Sequence, residues 1–198
     1  MLTRKNIKAH SLEFAGIMSD GVFTNKVGDI LPSEDAIDSI LKLLADIRSQ
    51  GGTVYLIGNG GSAAVASHAA TDFFKTGGMR ALTLHDPSTL TCFSNDYGYE
   101  NAFSNRLARL LNPQDVLVAI SSSGCSMNIL NAAACANVSG ANLVTLSGFS
   151  TDNPLRNAGM INYWLSSDDY GMVEIGHLFM LHYIADQLAL EWDAENGK

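Results

Sequence analysis

The chain has 198 residues, 46% of them apolar and 16% charged, with a formal net charge of −8. This length suits one domain with a substantial core, and the composition is that of a globular chain rather than a disordered one. The acidic balance argues against nonspecific nucleic-acid binding, which needs basic patches, and no apolar run approaches the roughly 20 residues of a membrane span.

The start, Met1-Leu-Thr-Arg-Lys-Asn-Ile-Lys8, is basic but leads into Ala-His-Ser-Leu-Glu without the apolar stretch of a secretory leader, so a cytoplasmic location is expected. Leu12, Phe14, Ile17 and Met18 recur at loosely helical spacing within residues 2–20. A second helix opens at Ser33-Glu-Asp-Ala36, with Ser33 as its cap, acidic residues in the first turn and Pro32 just before. Ile37, Ile40, Leu41, Leu44 and Ile47 then form one apolar stripe, which Gly51-Gly52 ends.

Five short apolar runs follow, at residues 54–57, 81–84, 116–120, 143–146 and 161–165. They alternate with helical patterns at 62–75, 99–111, 126–138 and 171–190. Continuous apolar runs alternating with helices predict a five-stranded parallel sheet covered on both faces, an α/β domain over 33–198 with a helical extension over 1–32. The last helix, from Glu174 to about Trp192, is apolar on much of its circumference: Ile175, Leu178, Phe179, Leu181, Ile184 and Leu188. Such a helix is expected to be buried, in part between subunits of a homo-oligomer.

Two of the runs break into glycine- and serine-rich loops that open straight into helices: Gly58-Asn-Gly-Gly-Ser62 and Ser121-Ser-Ser-Gly-Cys-Ser126. Such turns aim free backbone N–H groups and the positive end of a helix at one point, and the hydroxyls add uncharged donors. One cap needs one hydroxyl, whereas Ser121, Ser122, Ser123 and Ser126 offer four. A phosphate is the expected ligand, and in a parallel sheet it binds beyond the carboxyl ends of the strands, where both loops lie. Three cysteines, Cys92, Cys125 and Cys135, have no metal-knuckle spacing and read as buried, reduced thiols.

His68 and Asp72 stand four apart on the helix after the first loop and share a face. Glu174, His177 and His182 form the other ionisable cluster. Glu174 and His177 are three apart and could act locally, whereas Glu174 and His182 are separated by about 12 Å along a regular helix. One metal ion at about 2 Å from each ligand strains that span, unless Glu174 lies in an irregular lead-in or the site is built from two chains.

Gly58–Ser62, Asn95-Asp-Tyr-Gly-Tyr99 and Ser121–Ser126, in this order, resemble the sugar isomerase (SIS) domain, and within it the phosphoheptose isomerases. The likeness runs from about Ile37 to the end. It implies one flavodoxin-like, doubly wound domain, a homotetramer, and an aldose–ketose isomerase of a sugar phosphate. The expected reaction converts sedoheptulose 7-phosphate to D-glycero-D-manno-heptose 7-phosphate through an enediol, for surface-polysaccharide precursors, with no nucleic acid or membrane as partner. By resemblance Asp72 is the base and His182 the acid. One Zn²⁺ per subunit is held by His68, Asp72, Glu174 and His182, an N₂O₂ set that zinc accepts. Asn59, Gly60, Gly61 and Ser62 line the sugar side together with Glu174, Asn95 and Asp96 bind hydroxyls, and Ser121, Ser122, Ser123 and Ser126 take the phosphate. His177 matches a family position without a catalytic role.

The chain departs from the family at Asp72, where the family has glutamate, at Glu174, where it has glutamine, and at Met172, where it usually has arginine. It departs also in the stretch Lys75–Arg80, which is poorer in arginine, and near Gly171, where an acidic residue is absent unless Asp168 or Asp169 supplies it. The alternative is a non-catalytic phosphosugar-binding relative, such as a regulator that binds a replication initiator. Those relatives lose the acid four residues after the histidine and the final histidine, and this chain has both.

Overall fold

The computed structural model describes residues 6–196. Its elements in chain order are α1 (Ile7–Ser19), β1 (Val22–Asn25), β2 (Ile30–Leu31), α2 (Ser33–Ser49), β3 (Thr53–Ile57), α3 (Gly61–Lys75), β4 (Arg80–Thr83), α4 (Pro87–Tyr97), α5 (Ala102–Leu110), β5 (Val116–Ser121), α6 (Met127–Ser139), β6 (Asn142–Ser147), β7 (Ile161–Trp164) and α7 (Tyr170–Asn196). Short 3₁₀ turns at Tyr99–Asn101 and Pro154–Asn157 complete the list.

All five expected strands are present as the parallel series β4-β3-β5-β6-β7. The sheet is nevertheless seven-stranded and mixed, because β1 pairs antiparallel with the edge of β7 and β2 pairs antiparallel with β1. The 1–32 segment is therefore helical only in part, and residues 1–5 lie outside the described residues. Phe23 explains the ribbon: it is 1% exposed and packs its ring on Tyr163 of β7 at 4.8 Å. The Asn25 side chain accepts from the N–H groups of Val27 and Asp29 and closes the turn. Four residues of mixed polarity carry no periodic signal, and the open edge of β7 selects them.

Alternate residues of each strand feed two cores, which is why the runs are apolar throughout. Val54, Leu56, Val116, Val118 and Ile120 face α2, α3 and α7, while Tyr55, Ile57, Leu117 and Ala119 face α5 and α6. Ile37, Ile40, Leu41, Leu44 and Ile47 of α2 are buried as their stripe predicts. The cap is shifted by one: Pro32 occupies the N-cap position and Ser33 is already helical, with Glu34 and Asp35 in the first turn. Fully burying each Leu or Ile side chain contributes about 1.5–3 kcal/mol.

The expected 99–111 helix is a 3₁₀ turn followed by α5, and α4 precedes it unforeseen. Its start was legible: Asp86 accepts from the Thr89 N–H at 2.9 Å and Pro87 sits in the first turn. The cysteines also depart from expectation. All three are free, but Cys92 and Cys125 are exposed and Cys135 is half-buried. Among the described residues no helix is long and apolar enough to cross a membrane.

Chain direction across the sheet reverses at β3, which has β4 on one side and β5 on the other. The crevice at such a reversal opens between the carboxyl ends of β3 and β5. Both glycine- and serine-rich loops leave from those two ends.

Candidate active site

The first loop turns on Gly60, whose φ of +53° and ψ of −122° suit glycine alone. Gly61 opens α3, and a Cβ there would meet the end of the Glu174 carboxylate, which lies against the glycine. Gly58 is anchored from below: its N–H donates to His85 Nε2 at 3.3 Å. That bond leaves the ring proton on Nδ1, which faces Ser67 Oγ at 3.4 Å. Burial holds the His85 imidazole below the ordinary histidine range.

In the second loop the Gly124 N–H donates to the Ser121 carbonyl and the Cys125 N–H to Ser123 Oγ. Ser126 occupies the N-cap of α6 but makes no capping bond with its side chain. Its hydroxyl accepts from Ser121 Oγ at 3.3 Å instead. Ser122 Oγ is buried without a hydrogen-bond partner. A buried hydroxyl left unpaired costs about 1–3 kcal/mol unless a ligand meets it.

The two loops converge on one open cavity of about 530 Å³. Asn59, Gly60, Gly61, Ser62, Ser121, Ser122, Ser123, Ser126 and Glu174 line it, joined by Ile120 and Tyr170. No Lys or Arg is among these lining residues, so an anion there would be met by helix N-termini and hydroxyls. Asn59 itself is largely spent on structure. Its amide exchanges two hydrogen bonds with Asn128 of α6, at 2.9 and 2.8 Å, and its Oδ1 also accepts from the Tyr99 hydroxyl at 2.8 Å. This exchange ties the two loops to each other.

A second cluster forms farther along the helices. α3 and α7 lie side by side in the same direction, with Glu174 beside Gly61 and His182 beside Asp72. Asp72 Oδ2 is 3.0 Å from His182 Nδ1 and 3.5 Å from His68 Nε2, and the two rings lie edge to face at 4.8 Å. Neither approach has hydrogen-bond geometry, so Oδ2 is buried with no hydrogen-bond partner. Two imidazole nitrogens and a carboxylate oxygen within 4.8 Å of one another are placed to hold a metal ion. His68 and His182 stay about half-exposed, which leaves the cluster open to a further ligand.

Glu174 does not join this cluster, and the expected four-residue set divides. Because α7 is regular from Tyr170 onward, Glu174 and His182 remain about 12 Å apart along the axis. Glu174 instead lines the serine cavity, where burial pushes its carboxyl above the usual carboxylate range. The local pairing of Glu174 with His177 fails as well. His177 is 0% exposed and its Nε2–H donates to the Ser147 carbonyl at 3.0 Å. Burial lowers its pKa to about 4, so the ring is neutral near pH 7.

Asn95 and Asp96 also stand apart from both clusters. They sit in the last turn of α4, exposed, with Asn95 Nδ2 donating to Asp96 Oδ1 at 3.0 Å. The unforeseen α4 puts them on a helix rather than in a loop. The sequence reading in turn missed His85, Tyr99, Asn128 and Tyr170. Only His85 had a signal, since it precedes the Asp86-Pro87 start of α4 at the carboxyl end of β4.

Residues 27–148 match the family model of the SIS domain. The chain is similar to the phosphoheptose isomerase of Geotalea daltonii, 34% identical over 77% of this chain and 82% of the relative. It is 33% identical to that of Helicobacter pylori, over the same shares of both chains. Among solved structures, phosphoheptose isomerase GmhA from Neisseria gonorrhoeae superposes with a TM-score of 0.76 at 26% identity, covering 92% of this chain and 96% of that one.

Proposed function

The chain belongs to the SIS-domain family, and within it to the phosphoheptose isomerases; on that basis we propose that it interconverts sedoheptulose 7-phosphate and D-glycero-D-manno-heptose 7-phosphate. One observation carries this reading beyond membership: two glycine- and serine-rich loops line one cavity, with the buried Ser122 hydroxyl unpaired. The hydroxyls and helix N-termini that line the cavity beside Glu174 suit a phosphate on a chain of net charge −8, because they act at short range against the global field.

The reaction moves a proton between C1 and C2 through an enediol and needs one base and one acid. Asp72 takes the carbon-bound proton, and its short side chain, seated between two imidazoles, fixes where that carboxylate can reach. His182, whose ring is half-exposed, delivers a proton to the neighbouring oxygen. His68, Asp72 and His182 fit Zn²⁺ by donor type and spacing, and zinc bound there would polarise the sugar carbonyl. Ser121, Ser122, Ser123, Ser126 and the first-turn N–H groups of α3 and α6 hold the phosphate. Such an enzyme would work in the cytoplasm, supplying precursors of surface polysaccharide. A coupled assay should detect isomerisation of sedoheptulose 7-phosphate that falls with a chelator and returns with Zn²⁺. Full activity in the chelator would remove the metal from the reading, and no activity under any condition would remove the reaction.

The gap between the serine cavity and the histidine cluster supports a site completed by a second copy. Ile175, Phe179, Tyr183 and Leu190 form an exposed apolar stripe along α7, beside both Glu174 and His182. We read that stripe as a subunit contact, which brings the Glu174 of one copy to the cluster of another. Light scattering at micromolar concentration should report about four chains, and a monomer would discard the shared site.

A further inference from the structure

Phe149 has φ +56°, a positive value no other non-glycine residue shows among the described residues. Bulky side chains rarely adopt this backbone, and such outliers gather where a site demands them. The Phe149 N–H donates to the Ser167 carbonyl at 2.9 Å, which binds the loop after β6 to the lead-in of α7. The ring, partly buried against the core, meets Tyr170 edge to face, with centroids 4.8 Å apart and planes at 71°. The lead-in is fixed from the other side by Asp169, whose carboxylate accepts from the Met172 N–H at 3.1 Å.

Tyr170 is the first residue of α7 and lines the serine cavity with Glu174. It is 60% exposed, so its burial contributes little to the core. Phosphate chemistry does not ask for an aromatic ring at this place; the hydroxyls and helix N-termini already meet the anion. A rigid ring with an uncharged polar tip suits the carbon chain of a sugar, packing on C–H bonds while its hydroxyl meets an oxygen. We propose that Tyr170, held in position by Phe149, is the specificity-determining wall of the cavity and packs on the carbon chain of the bound sugar phosphate beside its phosphate group. This rests on reading the serine cavity as the sugar-phosphate site.

Calorimetry with inorganic phosphate and with sedoheptulose 7-phosphate separates the two claims. Ser121→Ala with Ser123→Ala should weaken both ligands about tenfold or more, since each removes a hydrogen bond to a charged group. Tyr170→Ala should weaken the sugar phosphate about tenfold and leave inorganic phosphate within about twofold. Tyr170→Phe should keep most of the affinity. Phe149→Gly, which accepts the positive φ but frees Tyr170, should cost the sugar phosphate about threefold. If the serine variant weakens both ligands while Tyr170→Ala changes neither, or both equally, the aromatic wall is refuted and the phosphate site stands. If the serine variant binds both as wild type does, the cavity reading fails and the wall falls with it.

Discussion

Asp72→Ala and His182→Ala are each expected to lower turnover by about 10²-fold or more, the loss that follows removal of a general acid or base. The two side chains touch across α3 and α7, with Asp72 Oδ2 at 3.0 Å from His182 Nδ1, so either change also strips a donor from the histidine cluster. His177→Gln should stay within a few-fold, because that ring is sealed in the core behind Ser147 and meets no solvent. Asp72→Glu carries the most information. It lengthens the carboxylate by one methylene, toward the glutamate that the resemblance implies, and turnover should hold or rise. Steady-state kinetics on zinc-loaded protein checks all four variants. Wild-type activity insensitive to changes at 72 and 182 would put the chemistry on other residues. An inactive wild type that Asp72→Glu switches on would make this chain a binding protein on an enzyme's scaffold.

Acid should destabilise the fold through His177, and the sign follows from its pKa. In the folded chain the value is about 4, below the ordinary 6.5, because burial disfavours the charged ring. Between those values the unfolded chain binds a proton that the folded chain refuses, so stability falls as pH drops from about 6.5 toward 4 and is complete above 6.5. The shift corresponds to about 3 kcal/mol at pH 4, a large part of a marginal total. His177→Gln has no titratable ring yet can still donate to the Ser147 carbonyl. Urea denaturation at pH 7 and pH 4 should show the wild type losing about 3 kcal/mol more than this variant. Equal losses would mean that His177 is protonated in the folded chain or that its site opens first.

Much of the catalytic scaffold was legible before any coordinate. The five parallel strands were visible as runs such as Val116–Ile120, because a strand buried on both faces must be apolar at every position. The loops at Gly58–Ser62 and Ser121–Ser126 were visible because glycine and clustered serine at a strand-to-helix turn are local choices. The pairing of His68 with Asp72 followed from helix periodicity alone.

Contacts between elements were decided elsewhere. Val22–Asn25 becomes a strand only because the edge of β7 is there to receive it. Asn95 and Asp96 fall in the last turn of α4, and neither is among the residues that line the cavity. The packing of α7 on α3 decides most of the rest: it brings His182 to Asp72, leaves Glu174 at the serine cavity two turns away and turns His177 into the core. A sequence specifies which side chains share a face of one helix. How far one helix is shifted along another, and which of its faces turns inward, is set by side chains packing across the interface, and that decides which distant residues meet.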